Sequence, residues 1–392
     1  MNPRTARRLR AVPLVLATVA VTALTACSQS STTSSSGSGD NAATAKADQA
    51  LAQLKEKVLS TGPNGEQASP ASAVTLTDDQ IAQVKAKNAT AAIVMHYGGN
   101  DWATAQIAGL KSEFGRLGIN VVATTDANFK PEQQVSDIET VMTKKPSVIV
   151  SIPTDPVATA DAYRAAAEAG TKLVFMDNVP KGFTAGKDYV TVVSADNYGN
   201  GVVSAHLLTR NLGGKGNIGV IYHNADFFVT QQRYDGFQKT LASDYPGIQV
   251  VAKQGIAGPD FAGDAQAAAN AMLSQHADLD AIWAVWDVPA EGVMAAARAA
   301  GRSDLTVVTE DLGLNVAIAM AKKQLVVGLG AQRPFDQGVT EARAAALSLL
   351  GQQVPPYLAW NSLAVTHDNV LDAWKTVYHA DPPGQLASSF TK

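Results

Sequence analysis

AAIVMHYGGNDWATAQIAGLKSEFGRLGINVVAT, residues 91–124, reads as strand, helix, strand, and this reading decides the fold. Residues 92–95 are a short apolar run without alternation, as a strand buried on both faces requires. Residues 103–117 carry apolar side chains at helical spacing and stop at Gly118, where a C-terminal glycine ends a helix. Residues 121–124 are apolar and β-branched again. Two strands joined through a helix of this length lie parallel and need a right-handed crossover.

Outward from this unit the pattern recurs. Apolar runs at 148–152, 173–176 and 190–193 alternate with helical patterns at 132–143 and 157–169, the last stopped by Gly170. A second series has strands at 218–222, 250–254, 281–285, 306–309 and 325–329, with helices near 233–241, 264–274 and 290–300. The fold class is therefore α/β, with two Rossmann-like lobes built on parallel sheets and a crevice between them.

The chain has 392 residues, with Lys+Arg 31 against Asp+Glu 35 and only 17% charged, so no basic surface speaks for a nucleic-acid partner. One cysteine rules out an internal disulfide framework and a Cys-based zinc site. Residues 1–26 read as a secretory signal: Arg4, Arg7, Arg8 and Arg10 precede an apolar run at 11–24. Leu24-Thr25-Ala26-Cys27 then resembles a bacterial lipobox, which implies cleavage before Cys27 and lipidation of its thiol. Residues 27–42, rich in Ser, Thr and Gly, form an expected tether, and 43–90 an N-terminal helical extension. In the extension, 43–59 is amphipathic through Ala47, Leu51, Leu54 and Val58, and Thr77-Asp78-Asp79-Gln80 spells a capping box opening a helix through Lys87.

Enzyme chemistry finds little support. Gly214-Lys215-Gly216-Asn217-Ile218-Gly219 precedes its strand, whereas a phosphate cradle must follow one, so it is a turn. There is no phosphate-binding Gly-Lys-Ser/Thr loop, no two-His metal helix and no serine elbow, and the six histidines show no ligand spacing. Neither a catalytic residue, a cofactor nor a metal is expected.

In open α/β sheets ligands sit beyond the carboxyl ends of the strands. There stand His96, Tyr97, Asn100, Asp101 and Trp102, then Asp177 and Asn178, and in the second series His223, Asp226, Trp286, Asp287, Asp311 and Gln332. Flat aromatic faces mixed with carboxylates and amides suit a carbohydrate, whose C–H patches stack while each hydroxyl donates and accepts. Plainer roles stand beside each: capping or hinge ion pairing for Asp177 and Asp311, core packing for Trp102 and Trp286, a structural role for His96 and His223. Asp287 caps the helix at Pro289 or meets ligand, and Phe227 and Phe228 pack between lobes.

Residues 92–118, 173–178, 194–197, 231–237 and 307–311 resemble the ribose-type sugar-binding proteins, type I periplasmic binding proteins of ABC importers, over roughly 91–374. The resemblance implies a hinge of three crossing strands, a first lobe of 91–195 plus 333–356, a second of 196–332 plus 357–380, and a tail at 381–392. It places His96, Asn100 and Trp102 on first-loop ligand contacts, makes Asp177 the sugar-binding carboxylate, and puts Phe261, Trp286, Asp311 and Gln332 on second-lobe contacts. Asn178 and Gln231 stand where the ribose binders carry arginine. The implied ligand is a neutral pentose, hexose or polyol, held by amides and indole faces.

The expected protein is thus a monomeric solute-binding lipoprotein on the outer face of the bacterial cell membrane. It captures a monosaccharide or polyol by hinge closure and delivers it to an ABC permease with its ATPase. A sensory receptor for a sugar-like, autoinducer-type signal is the alternative.

Overall fold

The structure is a computed structural model and describes residues 37–391. The signal segment, Cys27 and the tether as far as residue 36 lie outside the described residues.

The described chain begins with α1 (Gly37–Leu54), then β1 (Ser69–Pro70) and α2 (Asp78–Ala86). The first strand-helix series is β2 (Thr90–Met95), α3 (Asp101–Arg116), β3 (Asn120–Asp126), α4 (Pro131–Met142), β4 (Val148–Ser151), α5 (Ala160–Glu168), β5 (Lys172–Met176) and β6 (Thr191–Ala195). The second runs α6 (Asn197–Leu212), β7 (Gly216–His223), α7 (Phe228–Asp244), β8 (Ile248–Ile256), α8 (Phe261–Gln275), β9 (Ala281–Ala284), α9 (Asp287–Ala299), β10 (Thr306–Glu310), α10 (Leu314–Ala321) and β11 (Val326–Ala331). The chain then passes through α11 (Pro334–Leu349), β12 (Tyr357–Trp360), β13 (Leu363–Val365), α12 (Val370–Tyr378) and α13 (Gly384–Ser389).

Among the described residues these strands form two sheets, ordered β1-β12-β6-β5-β4-β2-β3 and β13-β11-β10-β9-β7-β8. Helices cover both faces of the first, where α3 and α11 enclose one apolar core around Ile93, Leu110 and Phe114, and α4 and α5 another around Ile138, Tyr163 and Phe175. The second lobe has a core that includes Val220, Phe237, Trp283 and Val293. Burial on both faces explains why the central strands read as continuous apolar runs.

Three details differ from the sequence reading. β13 is antiparallel to β11, so the second sheet is mixed. β12 pairs with β6 in the first sheet, which moves the last crossing from residue 356 to beyond Trp360. Residues 37–42, read as tether from their composition, belong to α1, and 55–68 are not helical. The capping box at α2 is present, with Thr77 accepting from the Gln80 N–H and Gln80 reaching back to the Thr77 N–H.

α6 carries Gly201 because its backbone meets α7 there. A Cβ on Gly201 would stand 2.0 Å from the Arg233 carbonyl oxygen, and one on Gly236 would stand 2.2 Å from that of Tyr198. This approach sets Arg233 beside the crossing between the lobes.

Candidate ligand-binding site

Two aspartates occupy equivalent places in the two lobes. Asp177 directly follows β5 and Asp311 directly follows β10, and both adopt left-handed backbone, with φ of 53° and 65°. Asp tolerates this region better than most side chains, and such strained positions cluster at ligand sites. Each backbone N–H is donated to the neighbouring strand, from Asp177 to the Val193 carbonyl at 3.0 Å and from Asp311 to that of Gly330 at 2.9 Å.

A chain of bonds joins them across the hinge. Asp177 Oδ1 accepts from Ser194 Oγ at 2.5 Å and Asn197 Nδ2 at 3.4 Å. Asn197 Oδ1 accepts from Arg233 Nε at 3.0 Å. Arg233 then donates to both oxygens of Asp311, at 2.9 and 3.4 Å, and to the Val285 carbonyl at 3.1 Å. Gln332 Nε2 completes the chain on Asp311 Oδ1 at 2.9 Å. Burial pushes Asp177 up to about 6, against the Ser194 bond and the Arg233 charge, which pull it down. Burial would lower Arg233, but the charges of Asp311, Glu310 and Asp177 hold it above its ordinary value.

An aromatic cluster lines the same cavity as this polar chain. Phe129, at φ 56°, donates its N–H to the His96 carbonyl at 2.7 Å, and its ring lies 4.7 Å from that of His96, 5.2 Å from Phe261 and 5.7 Å from Phe227. His96 stacks on Phe227 at 5.5 Å, and His223 meets Trp286 edge-on at the same separation. Burial lowers His96 to about 3, helped by His223, and lowers His223 to about 4, so both rings are neutral near pH 7. Burial, then the charges of Asp311 and Glu291, raise Asp287 well above the usual carboxylate range.

The cavity has a volume of about 60 Å³. This exceeds the ~10–15 Å³ that a single water requires, so the cavity has room for a small polar solute. His96 Nδ1, Trp102 Nε1 and Gln332 Oε1 line it and have no protein partner, so a bound solute has donors and acceptors to meet. Outside the cavity, Asp101 Oδ2 on α3 accepts from the Leu314 N–H at the start of α10 at 2.7 Å, a direct tie between the lobes.

The family model described as periplasmic binding protein domain matches residues 91–353. The chain belongs to this family. The ribose import binding protein of Escherichia coli is 26% identical over 287 residues, covering 72% of this chain and 92% of that protein. A crystal structure of an ABC sugar transporter subunit from Rhodobacter sphaeroides superposes with a TM-score of 0.64 at 26% identity, covering 72% of this chain and 99% of that one. An ABC transporter solute-binding protein of Agrobacterium vitis, bound with α-D-tagatopyranose, shares the fold with a TM-score of 0.67 at 23% identity over 74% of this chain and 99% of that one.

Of the strand-end residues singled out in the sequence, His96, Tyr97, Asn100, Trp102, Asp177, His223, Trp286, Asp287, Asp311 and Gln332 come together on this periplasmic-binding-protein cavity, whereas Asp101 and Asp226 do not line it. Asn100 also caps α3, accepting from the Ala103 N–H at 2.7 Å, and Asp287 accepts from the Val288 N–H at 2.9 Å. Three of the candidate ligand contacts also lie elsewhere. Phe261 is buried behind Trp286, with ring centroids 4.9 Å apart. Asn178 ties the lobes beside the cavity, donating to the Pro153 carbonyl and accepting from the Val229 N–H, both at 3.4 Å. Gln231 is exposed and donates to Asp235 at 2.8 Å. Sequence reasoning missed Phe129 and Arg233 and gave Phe227 to packing alone, yet all three line the cavity.

Proposed function

We infer that the chain is the extracytoplasmic substrate-binding protein of an ABC importer and that it holds a neutral monosaccharide or polyol between its lobes. The observation that carries the neutral ligand is the state of Arg233. Its Nε, both Nη1 positions and one Nη2 position are committed to Asn197, Val285 and Asp311, four of the five N–H donors of a guanidinium. His96 and His223 are neutral. An anionic solute would therefore face Asp177 and Asp311 with no uncommitted cation among the lining residues, and Asp287, raised well above the usual carboxylate range, supplies no positive charge either. A hydroxyl-rich neutral solute finds acceptors in the carboxylates and flat faces in Trp102, Phe129 and Trp286.

Capture follows from hinge closure. Lining residues come from both lobes, so a solute touching both favours the closed arrangement by its differential affinity for it. The permease with its ATPase then reads the closed form. The lipobox-like segment supports anchoring through Cys27 at the outer face of the membrane, and the role proposed is binding without turnover.

The test is a thermal-shift and calorimetric panel of D-ribose, D-allose, myo-inositol and D-ribose 5-phosphate. At least one neutral compound is expected to bind, with about 2.7 kcal/mol of stabilisation at a hundredfold excess over its Kd, and the phosphate is expected to leave the melting curve unmoved. Preferential binding of the phosphate would contradict the reading.

A further inference from the structure

The family match begins at residue 91, yet the residues before it are wired into the hinge. α1 sits on the second lobe: Ala47 is buried in that lobe's core, Lys46 pairs with Asp244 at 3.0 Å and Arg210 with Asp48 at 3.1 Å. The chain next meets the last crossing, where Asn361 Nδ2 donates to the Lys55 carbonyl. It then meets the first crossing at Asp196, a buried carboxylate between β6 and α6. Asp196 Oδ2 accepts from the Leu59 N–H, and Oδ1 accepts from the Ser60 N–H and Oγ, all at 2.8 Å. Oδ1 also caps α6 through the Gly199 N–H at 2.9 Å, and Ser60 Oγ accepts from the Tyr198 N–H at 2.9 Å.

From there the segment passes between lobes within a few residues. The Thr61 carbonyl accepts from Gln232 on α7 of the second lobe at 2.9 Å. Asn64 Nδ2 already bonds the first lobe, at the Phe183 carbonyl (3.3 Å) and Tyr189 Oη (3.4 Å). β1 then adds to the edge of the first sheet, with Ser69 opposite Leu358. Three residues reach at most about 11 Å even when fully extended, and the turn closed by the Gly62 N–H on the Glu66 carbonyl at 2.8 Å shortens that reach.

We propose that residues 55–68 form a fourth connection between the lobes, a strap that limits how far the cleft opens, and that Asp196 is the positioning residue through which it acts. Asp196 is placed for this role. Its neighbours Ser194 and Asn197 hold Asp177 and Arg233 on the cavity side, while its own carboxylate holds the strap. A strap tied at Asp196 and released within three residues to the other lobe opposes rotation about the crossings whatever solute is bound.

The experiment is ligand-free, so its outcome is independent of the sugar reading. In the full chain carrying Cys27→Ser, nitroxides are placed at Ser136→Cys on α4 and Ala267→Cys on α8, both exposed, and the interlobe distance distribution is measured by pulsed electron resonance. Inserting six Gly/Ser residues after Pro63 slackens the strap. The distribution is expected to broaden and shift relative to the parent, whereas the same insertion after the exposed Ser303 leaves it unchanged. Asp196→Asn keeps an oxygen for the α6 cap but sets an amide against the Leu59 N–H, and it should shift the distribution the same way by a smaller amount. Unchanged distributions in both strap variants, or an equal shift in the Ser303 control, would overturn the proposal.

Discussion

Asp177→Asn is expected to raise the Kd for the bound sugar roughly 10–150-fold, the equivalent of about 1.5–3 kcal/mol for a hydrogen bond to a charged group. The carboxylate is aimed into the cavity from a left-handed backbone that asparagine also tolerates, so the substitution removes charge and leaves the geometry. Two consequences separate this from unfolding. Burial raises the acid to about 6 in the folded chain. An acid with a raised folded pKa contributes stability that is fully present below its ordinary value and is lost as pH rises through about 6. The ligand-free asparagine variant should therefore be at least as stable as the parent at pH 7. A sugar hydroxyl donating to the ionised form favours that form, so parental affinity should fall as pH drops from 7 to 5, and the variant should lose the part of that fall that Asp177 contributes, keeping only the response of the other raised acids, Asp287 and Glu310. His96 and His223 titrate at about 3 and 4 and are silent in this window. Calorimetric titration from pH 5 to 8 reads both effects.

Arg233→Met should destabilise the ligand-free protein by about 3–5 kcal/mol, because breaking a buried ion pair from one side leaves its partner charge uncompensated. The guanidinium is 3% exposed and Asp311 10%, and the same cation faces Glu310 and Asp177. Glu310 shows how dependent the region is on it: burial pushes this acid up to about 8 even with Arg233 and the Ser204 and Trp283 bonds pulling it down. Adding Asp311→Asn to Arg233→Met should recover a substantial part of the loss, since it removes the orphaned charge. Urea unfolding of the two variants and the parent measures the difference, and equal loss in both would refute the ion-pair account.

Central strands and their crossover helices were legible because a parallel sheet covered on both faces imposes apolar runs separated by helical periods, as in residues 91–124. The edges were not. β13 is three residues long, and α6 hides behind two glycines that serve packing rather than a turn: Gly201 lets α7 approach, and Gly199 makes room for the Asp196 carboxylate and Ser362. The strand-end rule located most of the cavity lining, since it follows from sheet geometry alone. It passed over Phe129, three residues beyond β3 in a left-handed turn that no local pattern announces. It also passed over Arg233, because its partner Asp311 is 78 positions away in the chain. Gln231 shows the complementary failure: two positions apart on a helix is about 200° of rotation, so when Arg233 faces the cavity Gln231 must face water.

The account rests on two lobes that close around a neutral, hydroxyl-bearing solute. Small-angle X-ray scattering of the full chain, alone and saturated with whichever panel sugar calorimetry shows to bind, tests this most directly. The account predicts a smaller radius of gyration in the sugar-bound sample, and identical scattering from the two would contradict it.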